Sequence, residues 1–170
     1  MKKMFLILAL VMGATYTNAQ DVVDRCLSEL EPLVAKAKSV WHDGNAYYGT
    51  SSERAERYAI YSLEACAVVD KYIDLIDDVN EQLDLLWGQL DMLSAVLEIY
   101  EEDKMGLSAT EYIQQTNRKI ATLKKLAVLS KKIESKADRD LELYNINEAL
   151  AEHYFHKGAY KEASVYYSSC

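Results

Sequence analysis

Two histidines near the C-terminus, His153 and His156, stand three residues apart, a spacing that could support metal chemistry. Side chains at this spacing lie on one face of a helix and could bind a metal ion together. Zinc takes three or four protein ligands, however, and no cysteine or carboxylate is placed to complete the set. The sequence also has no His-Glu-x-x-His motif and no glycine-rich phosphate loop. We therefore predict no catalytic, cofactor-binding or metal-binding residues, and we expect that the protein is not an enzyme.

The N-terminus has the three regions of a secretory signal peptide. Lys2 and Lys3 precede an apolar run, Met4–Met12, which small and polar residues follow as far as Ala19. This order predicts a signal peptide over residues 1–19 and a periplasmic or secreted mature protein, and its compactness is typical of bacteria. The apolar run is much shorter than the roughly 20 residues that span a bilayer. We expect no transmembrane segment in the mature chain.

Acidic residues outnumber basic ones, with 27 against 19 and a formal charge of −8. The predicted signal peptide contains two of the bases and none of the acids, so its removal leaves 17 bases, 27 acids and a charge of −10. Because binding to phosphates needs a basic surface, we expect no nucleic acid partner. The charges are also divided along the chain: residues 64–103 contain twelve acids and one base, whereas residues 118–139 contain eight bases and two acids. These stretches are either two solvated faces or two surfaces that face each other, in one chain or between two.

The three cysteines leave at least one thiol unpaired in a monomer. If the first two helices fold back near residue 48, Cys26 lies opposite about residue 70. Cys66 is then offset by four residues, or about 6 Å along the helix axis. A disulfide between them is compatible with this offset but is not favoured, and we expect both to be small core residues.

Apolar residues recur every three or four positions nearly everywhere, which predicts an all-α protein. The first helix is predicted from Val22 to about Trp41, and Pro32 should kink it or mark the start of a second segment. New helices are predicted at Thr50–Glu53 and Ser108–Glu111. At both places a hydroxyl residue is followed three positions later by Glu, the pattern of a capping box.

The stretch from Ala55 to Tyr100 allows two interpretations. A seam of apolar residues in steps of seven is compatible with one long coiled-coil helix. A turn at Asp77–Asn80, in which Asp78 caps a new helix, would divide it in two. We favour the turn, because ordinary helices rarely exceed about 25 residues. The chain should then break at 104–106, and the next helix should run to about Lys136.

Near the C-terminus, the spacing predicts an antiparallel helical hairpin. Leu150 and Tyr154 lie one turn apart on the first helix, and Ala163 and Tyr167 lie one turn apart on the second. Gly158 fits the left-handed position that ends the first helix, and the small Ala163 allows close approach of the two backbones. The residues that define the pattern are Leu150, Tyr154, Gly158, Tyr160, Ala163 and Tyr167.

Over about residues 140–170, this pattern resembles the tetratricopeptide repeat, a two-helix unit of about 34 residues that stacks into binding superhelices. A weaker echo covers residues 40–67, with Tyr47 as the upstream partner of the second helix. The resemblance implies stacked antiparallel hairpins that form an α-solenoid. The apolar periodicity predicts long coiled-coil-like helices in the middle of the chain. We divide the mature chain into a helical hairpin region, 20–139, and a repeat-like hairpin, 140–170.

The same resemblance implies a scaffold that binds a protein or peptide partner. Tyr144 and Tyr166 are the predicted binding residues, because tyrosine can bury its ring while its hydroxyl stays in water. Self-association is a further expectation. Two other hypotheses are the sensory portion of a repeat-containing envelope regulator and a structural coiled-coil oligomer.

Overall fold

The computed structural model of the chain describes residues 18–42 and 50–170, with side chains over 21–40 and 50–170. Within these ranges it contains α-helices and one short 3-10 helix, Ile73–Leu75, and no strand. The prediction of an all-α protein is confirmed. The α-helices are α1 Asn18–His42, α2 Ser51–Tyr72, α3 Val79–Asp103, α4 Ala109–Ser130, α5 Lys136–His156 and α6 Tyr160–Tyr167.

The chain forms two compact units, Met1–Lys119 and Ile120–Cys170, and α4 contributes to both. The predicted division into a signal peptide, a hairpin region and a repeat-like hairpin stays a prediction. Most of that signal peptide, residues 1–17, and the Tyr47 part of the weaker repeat lie outside the described residues. None of the helices in 18–42 and 50–170 has both the length and the apolar character needed to cross a membrane.

Helix α1 packs along α2 in the first unit. It continues through Pro32, which is exposed, so no second segment begins there. Glu29 ties the two helices together, because its carboxylate accepts hydrogen bonds from Lys71 Nζ at 2.8 and 2.9 Å and from the Tyr72 hydroxyl at 2.6 Å. These bonds from Lys71 and then Tyr72 lower the pKa of Glu29. The buried residues of α1 are Val23, Cys26, Leu30, Ala37 and Val40, which lie on one helix face at steps of three, four or seven residues.

A turn separates α2 from α3, as the favoured interpretation of this stretch predicted. After α2 the chain passes through the 3-10 helix and an extended Ile76. The Asp78 side chain then caps α3 by accepting hydrogen bonds from the backbone N–H groups of Asn80 and Glu81, at 2.8 and 3.1 Å. Two helices therefore form in place of one long helix, and α3 packs against α2.

Both predicted capping boxes are present. Thr50 donates its backbone N–H to the Glu53 carboxylate at 2.7 Å, and the Thr50 hydroxyl accepts the Glu53 N–H at 3.2 Å. Ser108 and Glu111 make the same exchange at 2.7 and 3.3 Å. Each box satisfies backbone donors that the first helical turn leaves free.

The predicted break at 104–106 is also confirmed. Lys104 ends α3 in the left-handed region with φ 58°, and Gly106 has φ 82°. A Cβ atom at Gly106 would lie 3.0 Å from the backbone oxygen of Ala55. Glycine therefore fits this position for two reasons, its positive φ and the close approach to α2.

A polar network around the buried Gln89 joins α2, α3 and α4. The Gln89 amide donates to the Cys66 carbonyl at 3.0 Å and to one oxygen of Asp70 at 2.6 Å. The other oxygen of Asp70 accepts from the Arg118 guanidinium at 2.6 Å. Arg118 opens the predicted basic stretch and Asp70 belongs to the acidic one, so opposite charges do meet at this point.

Cys26 and Cys66 are buried and unpaired. Burial is the main cause that raises the pKa of the Cys26 thiol to about 11 and that of the Cys66 thiol to about 12. The Cys66 thiol lies 3.7 Å from the Gln89 carbonyl, to which it can donate a weak hydrogen bond. Both residues are therefore core residues, as expected.

Helix α4 ends at Ser130, and the prediction that it runs to about Lys136 is wrong. The Ser130 hydroxyl bonds back to the Leu126 carbonyl at 2.7 Å. The next N–H groups, those of Lys132 and Ile133, bond to carbonyls three residues earlier, which tightens the chain out of the helix. Ser135 then caps α5 by accepting the Asp138 N–H. This Ser-x-x-Asp cap was not predicted from the sequence.

Candidate binding surface on the C-terminal hairpin

Helices α5 and α6 form an antiparallel hairpin in the second unit. Three contacts fix its register. The Tyr154 and Tyr166 rings stack at 5.5 Å with an interplanar angle of 1°. The Asn147 amide donates to the Ser169 carbonyl at 3.3 Å, and the Cys170 sulfur lies 4.0 Å from the Tyr144 carbonyl. From one contact to the next, the residue numbers on α5 decrease while those on α6 and beyond increase, as expected for antiparallel chains.

The turn between the two helices is a Schellman motif. Gly158 has φ 72°, its N–H bonds to the Phe155 carbonyl at 2.9 Å, and the Ala159 N–H bonds to the Tyr154 carbonyl at 2.9 Å. The left-handed glycine predicted from the sequence is confirmed. A Cβ atom at Gly158 would meet nothing within 4 Å, so the turn is open on that side.

The residues of the repeat-like pattern occupy both sides of the hairpin. Leu150 and Ala163 are buried, and Tyr154 is half-buried. Tyr160 and Tyr167 are exposed. Tyr166, which the sequence placed on a binding surface, stacks against Tyr154, whereas the spacing placed Tyr167 on that inner face. The register of the hairpin accounts for the difference. The face of α6 that packs on α5 includes Ala163 and, three residues later, Tyr166, whereas Tyr167, four residues after Ala163, lies outside this face.

Large exposed apolar side chains are concentrated in this unit. Seven lie in Ile120–Cys170, and three lie in the described part of Met1–Lys119. Concentrations of exposed apolar side chains on a folded protein mark interaction sites, whereas single ones need no explanation. The seven are Val128, Leu141, Tyr144, Phe155, Tyr160, Val165 and Tyr167.

Four of these residues form what we call the aromatic face: Tyr144, Phe155, Tyr160 and Tyr167. Phe155 and Tyr160 meet edge to face at 5.5 Å and 68°, on either side of the turn, although they are 51% and 64% exposed. Tyr144 precedes Phe155 by eleven residues, or three helical turns and about 16 Å, so both lie on one side of α5. Tyr160 and Tyr167 are two turns apart and share one side of α6. The contact between Phe155 and Tyr160 joins the two sides.

Tyr144 was predicted to lie on a binding surface, whereas Phe155 was not predicted from the sequence. The available signal was the sequence Phe-His-Lys-Gly-Ala-Tyr, in which two aromatic residues flank a turn glycine. Because the chain reverses at Gly158, side chains on either side of the turn come together. A helical face counted within a single helix does not reveal such a pair.

The two histidines lie beside aromatic rings. His153 meets Tyr154 edge to face at 5.4 Å, and the exposed His156 meets Phe155 at 6.1 Å. Among the side chains of residues 21–40 and 50–170, no group of three from histidine, cysteine and acidic residues is arranged to bind a metal ion. Cys170, at the open end of the hairpin, is exposed, and partial burial and then the Glu148 carboxylate raise the pKa of its thiol.

No protein family matches this sequence, and neither a curated protein nor a solved structure shows significant similarity to it. The similarity to tetratricopeptide repeats rests on residue spacing alone.

Proposed function

We propose that this protein is an exported, non-enzymatic helical-repeat scaffold that binds a protein or peptide through the aromatic face. The observation that supports the proposal is the concentration of exposed apolar side chains in Ile120–Cys170. Tyrosine and phenylalanine are enriched at the cores of protein interfaces, since each buries a large area at a small cost in side-chain entropy. Export is supported by the order of charged, apolar and small residues over 1–19.

The dimensions of the aromatic face suit a macromolecular partner. It extends about 16 Å along α5 and includes α6, which is comparable to three turns of a partner helix. Tyrosine hydroxyls at its edge can stay hydrated while the rings are covered. Exposed charged residues nearby, Glu148, Glu152, Lys157 and Glu162, would form a polar rim.

The finer architecture belongs to the same proposal. We infer that the α5–α6 hairpin acts as a tetratricopeptide-like unit within a solenoid. In such arrays each hairpin leaves one face for a neighbour or a ligand. The buried Ala163 and the left-handed Gly158 support this inference, because both occur where the repeat pattern needs them.

The test compares two double variants that remove similar apolar exposure from different units. Phe155→Ser with Tyr160→Ser alters the aromatic face. Leu75→Ser with Ile113→Ser is the control, because each of these residues is 59% exposed in the first unit. Parent and variants are immobilised and exposed to an extract of the cell envelope of the source bacterium, and the retained proteins are identified by mass spectrometry.

We expect the parent and the control variant to retain the same partner and the Phe155/Tyr160 variant to lose it. Circular dichroism and thermal melting verify that all three proteins are folded. Retention of the same proteins by the Phe155/Tyr160 variant, at undiminished yield, would remove the aromatic face from the binding site.

A further inference from the structure

The second unit carries a separate, positively charged surface that the proposed function does not use. Lys124, Lys131 and Lys132 are exposed, and Val128 between them is 61% exposed. Val128 follows Lys124 by four residues, and Lys131 and Lys132 follow Val128 by three and four, so the four residues follow one side of α4 and the turn after it. We call these four residues the basic face.

The lysines of the basic face have no partners in their own unit. Within Ile120–Cys170, no acidic side chain forms an ion pair with Lys124, Lys131 or Lys132. Neighbouring bases are engaged: Lys136 pairs with Asp140, and Arg139 donates to the Ile133 carbonyl at 2.7 Å. Lys131 and Lys132 gain some stabilisation from the C-terminal end of the α4 dipole. That effect does not account for the exposed Val128 or for Lys124, two turns earlier.

The C-terminal end of α3 has the opposite character. Glu98, Glu101, Glu102 and Asp103 are exposed, and the last turn of α3 contains no basic residue. Acids at this end of a helix are unfavourable, because the dipole is negative there. The next residue, Lys104, donates to the Glu101 carbonyl at 3.3 Å and offsets part of this charge. We call Glu98, Glu101, Glu102 and Asp103 the acidic end. Their carboxylates would be stabilised by an external cation.

We propose that the basic face of one copy of this chain docks on the acidic end of α3 of a second copy. The two surfaces have opposite charge and similar length, since Lys124–Lys132 and Glu98–Asp103 extend about 12 and 8 Å. Val128 supplies an apolar contact at the centre. The two surfaces differ, so the contact is heterologous, and a pair of copies keeps one free surface of each sign.

The net charge of −10 predicted for the mature chain, from 17 bases and 27 acids, limits this association to short-range contacts between copies. Two acidic molecules repel each other at long range, but exposed charges more than about 8 Å apart are screened at physiological ionic strength. Ion pairs formed on contact lie inside that distance. Association should therefore occur at physiological ionic strength and fall in about 1 M salt, where the screening length is about 3 Å.

Sedimentation velocity over a range of concentrations tests this proposal with three variants of the full mature chain. Lys124→Glu with Lys131→Glu reverses the basic face. Glu98→Lys with Glu102→Lys reverses the acidic end and leaves Glu101, which binds the Tyr112 hydroxyl, in place. Lys36→Glu with Lys161→Glu is the matched control, because it makes the same change in net charge at two exposed lysines outside both surfaces.

We expect the parent and the control to associate, and each interface variant to dissociate at concentrations at least about fourfold higher than the parent, since two attractions become repulsions. An equimolar mixture of the two interface variants should associate again, because each reversed surface then meets its complement. This recovery also shows that both variants are folded.

Three results would overturn the proposal. The parent could remain monomeric at all concentrations and salts, the control could weaken association as much as the interface variants, or the mixture could fail to recover. If the parent stays monomeric but binds vesicles of anionic phospholipid, and Lys124→Glu with Lys131→Glu abolishes that binding, the basic face recognises a lipid surface instead of a second copy.

Discussion

At the scale of single residues, the three cysteines differ in environment and therefore in reactivity. The thiolate is the reactive form, and burial raises the pKa of Cys26 to about 11 and of Cys66 to about 12. Cys170 is exposed, and its pKa is raised by partial burial and by Glu148. The three thiols therefore differ in solvent exposure as well as in pKa.

We predict that one thiol reacts with a water-soluble disulfide reagent in the native protein at pH 8, and that all three react in denaturant. Cys170→Ser should abolish the native reaction. Cys26 and Cys66 should then react at the rate at which the first unit opens. Finding two fast thiols in the native protein, or one thiol in denaturant without reductant, would contradict the buried and unpaired state of Cys26 and Cys66.

Ala163 is buried where α5 and α6 pack together, so a large side chain at this position should be destabilising. Ala163→Arg adds both volume and charge at a close helix contact, and we expect it to lower the free energy of unfolding by about 3 kcal/mol. Ser164→Arg places the same side chain on the exposed side of α6 and should change stability by less than about 0.5 kcal/mol. Urea denaturation followed by circular dichroism measures both, and equal losses would refute the assigned register.

At the scale of helices, the capping boxes connect stability to pH. Hydrogen bonds from the Thr50 backbone N–H and then its hydroxyl lower the pKa of Glu53, and bonds from Ser108 lower that of Glu111. A carboxylate with a lowered pKa stabilises the folded state above its unfolded value of about 4.3, and this contribution is lost as the pH falls through the folded value.

We therefore predict that Thr50→Ala and Ser108→Ala each lower stability by about 1 kcal/mol at pH 7. The difference from the parent should shrink as the pH falls below about 4.3, because the protonated glutamate no longer completes the box in either protein. Ser52→Ala, an exposed position within the first turn of α2, is the control. Melting temperatures between pH 7 and pH 3 test this, and a difference that does not depend on pH would show that Glu53 and Glu111 contribute nothing.

The helix boundaries that the sequence predicted share a physical basis. Thr50, Asp78, Ser108 and Gly158 act through hydrogen bonds or backbone angles within a few residues, so local sequence contains the necessary information. The end of α4 at Ser130 was missed because the Leu-Ser-Lys-Lys sequence has no glycine or proline. Tyr166, and not Tyr167 as the spacing predicted, lies on the face of α6 that packs on α5. This outcome depends on how α6 packs on α5, which spacing within one helix cannot determine. For the same reason, Tyr144 was found as a surface residue and Phe155 was not.

At the scale of the whole molecule, the basic residues of the 118–139 stretch differ in whether they form ion pairs. Arg118 pairs with Asp70 in the first unit, whereas Lys124, Lys131 and Lys132 have no ion-pair partner within the second. A basic stretch that looks uniform in the sequence thus includes one side chain that joins helices and others that remain available. Side-chain placement, which the sequence does not give, makes this distinction.

Export is the prediction that concerns the chain as a whole. The order of Lys2 and Lys3, an apolar run and the small residues before Gln20 predicts cleavage after Ala19. N-terminal sequencing of the protein recovered from the cell envelope should therefore begin at Gln20. Recovery of a membrane-bound chain that still begins at Met1 would show that the segment is not removed.

Among the described residues, two glycines have a positive φ, Gly106 and Gly158, and they should differ sharply in mutational tolerance. A side chain at position 106 would be opposed both by its φ of 82° and by a backbone oxygen 3.0 Å away, which no rotamer change can move. At position 158 the φ of 72° is the single obstacle, because the space around it is empty. Asparagine, which adopts left-handed angles more readily than other residues, suits the second position and not the first. The hairpin tip is thus a place where this protein can accept an engineered loop or a fluorescent label beside its aromatic face, whereas the α3–α4 connection offers no such freedom.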